Sequence, residues 1–430
     1  TSVLLVKPVD ARGSETFACG TMGGESPQRN IVTSSPKCNQ MHRTPRLLII
    51  TRNLPPLIGG MERLNWHIAQ ELSNYAEVTV IGPRGSAALA PPRVTIHEAR
   101  TSKLSSFLVR GLFSGIVIAR SWRPAVVLAG SGLTAPLVVL AAKLSGAKSA
   151  VYTHGLDLVV KHPVYRMVWL RFIARADIVL VNSSATRELA VQAGIDPHRI
   201  RLVHPGVALP MNTTAENESF RQQHHLGDSK LLISVGRLTQ RKGIREFVRG
   251  VLPKVVARFP NCRFVVVGGS PANALAAPAQ SVESIREAAA EAGVAESVVF
   301  VGSVSDQELS AAFRSADVHV FPVREVPGDP EGFGMVAIEA AAHGLATVAY
   351  RTGGVPDAVS DGRSGRLVDP GDEGDFARAV IELLDQPLEP EATVAFARGF
   401  AWDCVGKRLA RALNLRVSQD VLTGASHPPN

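Results

Sequence analysis

Two glutamates separated by seven residues are the first candidates for chemistry in this sequence. Glu331 precedes a Gly-Phe-Gly turn, and Glu339 lies in the alanine-rich apolar run that follows the turn. Such a turn is typical of a loop entering a helix, whose N-terminus favours negative charge on a ligand. Ionised carboxylates only accept hydrogen bonds, so Glu331 suits the hydroxyls of a sugar and Glu339 both hydroxyls of a ribose. Taken alone, the pair is also typical of two surface acids near a helix start.

Two basic residues follow a predicted buried strand, 231–235, earlier in the chain. Arg237 and Lys242 leave the end of this strand. Gly236 and Gly243 beside them allow a ligand to approach the backbone closely. Fixed positive charge at a strand end suits a diphosphate, although the segment taken alone is more typical of a solvated basic turn. Its position ahead of the two glutamates favours the diphosphate.

The first half of the chain holds three further candidates for binding or catalysis. Gly59 and Gly60 follow the first predicted strand and open a helix, which suits close approach to a phosphate; an ordinary tight turn is the alternative. His154 ends a strand, where its side chain faces the cleft; a structural histidine is the alternative.

The motif GSGLTA at 130–135 fits a dinucleotide fingerprint. However, it does not follow the first strand and no acid ends the next one, so we interpret it as a packing turn.

Short apolar runs rich in β-branched residues alternate with longer helical stretches from Arg46 onwards. This alternation predicts βαβ units, and hence parallel sheets with helices on both faces. The alternation stops over a polar stretch, within the linker given below, and then restarts. The predicted fold class is therefore α/β, with two Rossmann-like domains facing a cleft. In such folds ligands bind at the carboxyl ends of the strands. Strands are predicted at 46–51, 77–82, 125–129, 149–154, 177–182 and 200–204, and then at 230–235, 262–268, 297–302, 317–322 and 345–350.

The same pattern divides the chain into segments. We predict a disordered extension at 1–40, an acceptor-side Rossmann-like domain at 41–207, a linker at 208–228, a donor-binding Rossmann-like domain at 229–385, helices at 386–416 and a tail at 417–430. The extension lacks the apolar core of a signal peptide, and Met41 directly precedes the folded pattern. We interpret it as a disordered segment or an over-extended start; a small cap on the first domain is the alternative.

Composition narrows the class of partner. A net charge of +8 and a pI of about 9.6 favour anionic partners such as nucleotides and phospholipid surfaces. Aromatic residues are only 5% and no basic run is interleaved with them, which argues against a nucleic-acid platform. None of the four cysteines has CxxC spacing, so neither a zinc site nor a disulfide framework is predicted. A reducing cytoplasm fits best.

The ordered segments SVGRLTQRKG, VVVGG, VVFVGSVSDQEL, ADVHVFPV, EGFGMVAIEAAAHG and GGVPDAVSDGRSG resemble the GT-B retaining glycosyltransferases with the Glu-x7-Glu motif, family 4, in their phosphatidylinositol mannosyltransferase-like branch. The resemblance covers residues 45–415 and is densest in 231–372. It implies a hexose donor linked to GDP or UDP, with the following contacts: Arg237, Lys242, Gly59 and Gly60 at the diphosphate; Glu331, His154 and the backbone of Gly332, Phe333 and Gly334 at the sugar; and Glu339 at the ribose. Asp357 stands where the family frequently has glutamate.

The resemblance also sets expectations for catalysis. No DxD-type metal motif ends a strand, so we predict catalysis without metal or cofactor, with Arg237 and Lys242 in the cation's role. The leaving diphosphate oxygen then takes the acceptor proton on the same face of the sugar. Two alternatives remain: a nucleotide-sugar epimerase or hydrolase, and a non-catalytic sugar-nucleotide-binding protein. The presence of Glu331, Lys242 and His154 argues against the second.

A basic amphipathic segment at 103–123 bears on the acceptor. Apolar residues recur at helical spacing, and the opposite stripe is basic and polar; the stripes are Leu104, Phe107, Leu108, Leu112 and Ile116, against Lys103, Ser106, Arg110 and Ser114. Such a helix can lie on an anionic bilayer; a core-facing helix is the alternative and is slightly favoured by sequence alone. Because related enzymes often use lipid-linked acceptors, we predict a glycan or lipid-linked acceptor and a cytoplasmic enzyme, peripheral at the inner face of the plasma membrane.

Overall fold

The structure is a computed structural model that describes residues 44–99, 103–210, 216–269 and 280–415. The predicted extension at 1–40 and tail at 417–430 lie outside these residues. Most of the described chain forms two α/β halves, each built on one parallel sheet.

The first half carries a seven-stranded parallel sheet in the order β3-β2-β1-β4-β5-β6-β7. Its strands are Arg46–Ile50 (β1), Glu77–Gly82 (β2), Val94–Glu98 (β3), Val126–Ala129 (β4), Lys148–Thr153 (β5), Ile178–Val181 (β6) and Ile200–Leu202 (β7). Its helices are Gly60–Leu72 (α1), Leu104–Trp122 (α2), Ala135–Ser145 (α3), Leu156–Val159 (α4), Pro163–Met167 (α5), Trp169–Arg175 (α6) and Ser184–Gln192 (α7).

The second half carries a six-stranded parallel sheet in the order β10-β9-β8-β11-β12-β13. Its strands are Leu231–Val235 (β8), Arg263–Val267 (β9), Val298–Gly302 (β10), Val318–Phe321 (β11), Thr347–Tyr350 (β12) and Gly365–Val368 (β13). Its helices are Glu216–Gln223 (α8), Ile244–Gly250 (α9), Leu252–Arg258 (α10), Val282–Glu291 (α11), Asp306–Ser315 (α12), Met335–Ala342 (α13), Val355–Ala358 (α14), Glu373–Asp385 (α15) and Pro390–Arg398 (α16). The last helix of the chain, Trp402–Ala412 (α17), packs on the first half.

The central strands are buried on both faces, as the apolar runs predicted. In β1, Leu47 and Ile49 pack in one core cluster, while Leu48 and Ile50 pack in the cluster on the other face. This is the two-residue period of a strand covered by helices on both sides. In each sheet the first strand lies in the middle: β1 between β2 and β4, and β8 between β9 and β11. The order of the strands reverses at this point, and the carboxyl ends of the strands at such a switch point form the ligand crevice of open α/β folds.

All eleven predicted strands are confirmed, but two edge strands were not predicted. β3 has the sequence VTIHE and alternates buried with exposed side chains, and β13 is only four residues long with an exposed arginine. Neither has the continuous apolar run by which buried strands were recognised. A capping box begins α12, where Ser305 and Glu308 exchange hydrogen bonds.

The chain crosses between the halves twice, and the two crossings touch. The Val207 N–H donates to the Phe400 carbonyl at 2.8 Å. Beyond this contact α17 returns to the first half, where Val405 and Leu409 join the core beneath α1. A helix, α8, lies inside the segment 208–228 that was predicted as a linker, and its Phe220 is buried in the core of the second half.

The helix α2 is, among the described residues, the one long and apolar enough to cross a membrane by length and composition. Its inner face is buried at Phe107 and at three small residues that follow it at four-residue spacing. The predicted apolar stripe therefore faces the core. The outer face also carries large apolar side chains, which the sequence analysis did not identify: Val109, Phe113 and Val117 are each more than half exposed.

Candidate active site

An ion cluster lies at the carboxyl end of β8, where Lys242 and Glu331 meet. A short turn, Gln240–Lys242, follows the strand, and the Lys242 Nζ lies 2.7 Å from the Glu331 Oε2. The Arg241 guanidinium binds the same carboxylate, and its Nε lies 3.2 Å from the Asp329 Oδ1. The four side chains are 11–15% exposed. Two cations and two carboxylates thus share one largely buried pocket.

Burial and charge oppose each other in this cluster. Burial alone would raise the pKa of Glu331, but Lys242 and Arg241 outweigh it and hold the pKa below its ordinary value. Burial lowers the pKa of Lys242, and Glu331 opposes that fall. Because each charge stabilises the other, Glu331 is a carboxylate at neutral pH. The site therefore presents an ionised acceptor beside fixed positive charge.

The residues predicted to hold the diphosphate differ in their environment. Arg237 is exposed, whereas Lys242 is held over the Phe321 ring at 4.5 Å. Arg241 was not predicted, although it bonds Glu331 directly. Its only sequence signal is its place next to Lys242 in the glycine-bounded turn.

Glu339 is held from the other side of the cleft. It lies in α13 and its Oε1 is 2.9 Å from the Arg63 Nη2 of α1. A second nitrogen of Arg63 lies 3.4 Å from Asp306, at the start of α12. Burial raises the pKa of Glu339; the positive charge of Arg63 opposes this rise and the negative charge of Asp306 adds to it. Arg63 was not predicted; its signal was its position in the first turn of the helix opened by Gly59 and Gly60.

A cavity of about 550 Å³ opens beside this ion pair. Arg63 and Glu339 line it together with aromatic and apolar side chains, namely Trp66, His67, Leu309, Phe313, Met335 and Trp402. His67 stacks on Trp402, and burial together with Arg63 lowers the pKa of His67 to about 4. Apart from Arg63, Glu339 and Asp306, the lining is largely apolar and aromatic and suits a flat, largely apolar group.

His154 is fixed by the turn interpreted above as a packing turn. Its Nε2 lies 3.0 Å from the Gly130 carbonyl oxygen, which can only accept, so Nε2 carries a proton. A Cβ at Gly130 would lie 2.4 Å from the Asn65 side chain and 2.6 Å from that of Thr51. The packing interpretation of this turn is confirmed, and the ring's Nδ1 is available as an acceptor in the neutral tautomer.

The two predicted catalytic segments, His154 and the Glu331 loop, touch across the cleft. A Cβ added to Gly332 would lie 2.4 Å from the His154 carbonyl oxygen and 2.8 Å from the Asn182 amide nitrogen. Gly155 has a φ of +93°, a left-handed conformation that turns the chain directly after His154. Glycine at these positions lets the loops of both halves approach at backbone distance.

The loop 353–357 forms hydrogen bonds with the Glu331 loop and with the first half of the chain. The Gly354 N–H donates to the Glu331 carbonyl oxygen at 2.9 Å. The Asp357 carboxylate accepts a hydrogen bond from the Ser184 N–H at the N-terminus of α7, in the other half. An aspartate at 357, where the family frequently has glutamate, therefore has a defined partner in the other half.

The remaining predicted donor-binding residues lie near the cleft without contacting the cluster through their side chains. Phe333 is 2% exposed, with its ring stacked on His204 and tilted against Phe400, so only its backbone can face a ligand. Gly334 has a φ of +96° and caps α13. Gly60 begins α1 with open space where a side chain would be, and Gly59 precedes it.

Comparison with known proteins gives two family matches. The model described as Glycosyl transferases group 1 matches residues 229–386, and that described as Glycosyltransferase Family 4 matches residues 58–209. The GDP-mannose-dependent alpha-(1-6)-phosphatidylinositol monomannoside mannosyltransferase of Mycolicibacterium smegmatis is 30% identical over 395 residues, which are 86% of this chain and 98% of the relative.

A second relative and a solved structure agree with these matches. The D-inositol 3-phosphate glycosyltransferase of the same organism is 34% identical over 274 residues, covering 62% of this chain and 59% of that protein. Anabaena Alr3699/HepE in complex with UDP superposes with a TM-score of 0.68 at 18% identity, covering 86% of this chain and 99% of that one. This likeness establishes the same two-domain fold.

Proposed function

Because the chain belongs to the family 4 glycosyltransferases, with the two-domain GT-B fold, we propose that it transfers a hexose from a nucleotide-diphosphate sugar to an acceptor hydroxyl with retention of anomeric configuration. The observation that carries the proposal is the contact between Lys242 and Glu331 at the carboxyl end of β8. It brings a fixed cation and an ionised hydrogen-bond acceptor to one point, which a sugar diphosphate requires.

In this proposal each charge has a separate task. Lys242, with Arg237 at the open side, neutralises the charge that develops on the leaving diphosphate. Glu331 accepts hydrogen bonds from the sugar hydroxyls and positions the ring. Arg241 pairs with both Asp329 and Glu331, and thereby fixes the position of the Glu331 carboxylate. Glu339 binds the ribose, and the neighbouring apolar cavity takes the base.

The acceptor proton leaves on the face of the sugar that carries the leaving group. The bond between the anomeric carbon and the diphosphate breaks, and the acceptor oxygen bonds to this carbon on the same face while a diphosphate oxygen beside Lys242 accepts its proton. The configuration is therefore retained without an enzyme nucleophile. His154 supports the sugar from the opposite half, with its ring held by the Gly130 carbonyl. The fixed orientation of these groups lowers the barrier mainly through positioning and electrostatics.

The relatives favour a mannosyl donor and an inositol-containing acceptor. The name of the mycolicibacterial relative pairs GDP-mannose with an alpha-(1-6) linkage on phosphatidylinositol monomannoside. Since GDP-mannose is itself α-linked, that pairing supports retention. We therefore put GDP-mannose first among donors and a lipid-linked mannoside first among acceptors.

A panel of nucleotide sugars tests this function. We expect one GDP- or UDP-linked hexose to be consumed faster when a lipid-linked mannoside is present, with nucleoside diphosphate released in proportion to glycoside formed. The reaction is run with and without EDTA, and equal rates are the expected result. Release of an epimer or free sugar at an unchanged rate with acceptor would contradict transfer, and loss of activity in EDTA that magnesium restores would contradict metal independence.

The outer face of α2 supports contact with an anionic membrane. Val109, Phe113 and Val117 project from it beside Arg110 and Arg120. Between residues 100 and 204 the chain has 14 lysines and arginines but four aspartates and glutamates. Apolar side chains flanked by basic ones are suited to the interface of an acidic bilayer.

We expect salt-sensitive binding to vesicles that contain acidic phospholipid. Each basic residue near such a surface contributes about 1 kcal/mol, so Arg110→Glu with Arg120→Glu should weaken binding at least about tenfold. Vesicle co-sedimentation measures this. Arg398→Glu with Arg408→Glu, on exposed positions of the C-terminal helices, is the matched control and should bind normally. Equal binding to neutral and acidic vesicles, or none at low salt, would favour a soluble acceptor.

A further inference from the structure

The cross-cleft ion pair of Arg63 occupies the carboxylate that the proposed function assigns to the ribose. Arg63 lies in the first turn of α1, and its Nη2 contacts the Glu339 Oε1 at 2.9 Å. Only 15% of the Glu339 side chain is exposed, whereas Arg63 is 47% exposed. Both residues line the cavity, so a ligand there meets the carboxylate beside the guanidinium that already binds it.

A guanidinium and a pair of ribose hydroxyls compete for the same acceptor. Both are hydrogen-bond donors, and a carboxylate whose side chain is only 15% exposed has little accessible surface for both. Arg63 has an alternative partner, since its Nη1 already lies 3.4 Å from the exposed Asp306. It can therefore release Glu339 without becoming unpaired.

The helices that carry Arg63 and Glu339 are each packed in a core. α1 is packed on its inner side against α17, with Leu64 and Ile68 in the same core cluster as Val405 and Leu409. Glu339 lies in α13, between the buried Ile338 and Ala340. An ion pair with one half-exposed partner, Arg63, thus connects two helices of opposite halves.

We propose that Arg63 is a positioning residue that holds Glu339 in the donor-free enzyme and yields it to the ribose, so that donor binding and the release of this cross-cleft pair are one event. The inference rests on the proposed function, because it requires a ribose at Glu339. It goes further by assigning a competitor to that site. No covalent step is involved, and only hydrogen bonds and one ion pair are exchanged.

The consequence is that part of the donor's binding free energy is used to displace Arg63. Removing the competitor should therefore tighten binding of the nucleotide. Half-exposed ion pairs are weak, so Arg63→Ala should lower the Kd of GDP about two- to fivefold. Arg63→Lys should restore most of the wild-type Kd, because an ammonium can still bind Glu339.

Calorimetry with GDP on the full chain tests the proposal, with UDP as a second probe. The inhibition constant of GDP against the donor should fall by the same factor as the Kd in Arg63→Ala. In a Glu339→Gln background, Arg63→Ala should change the Kd no further, since the two residues act through one contact. Arg408→Ala, an exposed arginine of α17, is the matched control and should leave the Kd unchanged.

The outcomes separate this inference from the function on which it rests. If the wild-type protein binds GDP but Arg63→Ala binds it equally or more weakly, the positioning role is wrong and the proposed function stands. A tightening that persists in the Glu339→Gln background would also overturn it. If the wild type binds neither GDP nor UDP, the proposed function fails and this inference falls with it.

Discussion

Replacing Lys242 with alanine should reduce kcat/KM about tenfold to a hundredfold, which is the expected cost of losing a hydrogen bond to a charged group. Lys242 shares the Glu331 carboxylate with Arg241, but Arg241 also pairs with Asp329, so we assign the diphosphate to Lys242. The Kd of the nucleoside diphosphate should rise in the same variant. Steady-state kinetics and calorimetry measure both effects.

The same substitution should change the pH dependence. Lys242 and Arg241 hold the pKa of Glu331 below its ordinary value against the effect of burial. With one cation removed, burial gains weight and the pKa of Glu331 rises, so the acidic limb of kcat/KM should move to higher pH. Lys254→Ala on the exposed face of α10 is the matched control. Unchanged GDP affinity in Lys242→Ala would refute the assignment of Lys242 to the diphosphate.

Glu331→Gln should lower kcat by on the order of a hundredfold, the usual loss when a preorganised charged contact at the reacting centre is removed. Glutamine keeps the shape of the side chain but not the charge that Lys242 and Arg241 require. Glu339→Gln should instead act mainly on KM, because the ribose is remote from the bond that breaks.

Steady-state kinetics of the two variants separates these roles. Glu382→Gln, which removes a surface carboxylate paired with Arg366, is the matched control and should leave both constants unchanged. A larger fall in kcat for Glu339→Gln than for Glu331→Gln would reverse the assignment of sugar and ribose. Thermal unfolding of each variant shows whether the loss is one of chemistry or of fold.

The architecture follows from the sequence because its strands are buried on both faces. Continuous apolar runs identify such strands, and parallel pairing brings their carboxyl ends to one edge. Lys242 and Glu331, predicted from separate loops, meet for that reason. The two edge strands β3 and β13 were missed because one face of each meets water and the apolar run is broken.

The unpredicted site residues depend on information that local patterns do not contain. Arg241 contacts Glu331 because of the tight turn Gln240–Lys242, whereas Arg237 remains exposed. The sequence shows several basic residues after this strand but not which of their side chains point into the site. Arg63 reaches Glu339 only because the halves of the chain face each other, a long-range arrangement without sequence periodicity. Phe333 was assigned to the donor for its motif, and only its backbone can fulfil that assignment because its ring is buried.

The stereochemistry of the product tests the central claim most directly. The donor selected by the nucleotide-sugar panel is incubated with a lipid-linked mannoside, and NMR determines the anomeric configuration of the new linkage. We expect an α-glycoside from an α-linked donor, formed in equal amount to the nucleoside diphosphate released. A β-linked product, or consumption of donor with no glycoside formed in the presence of acceptor, would contradict retaining transfer.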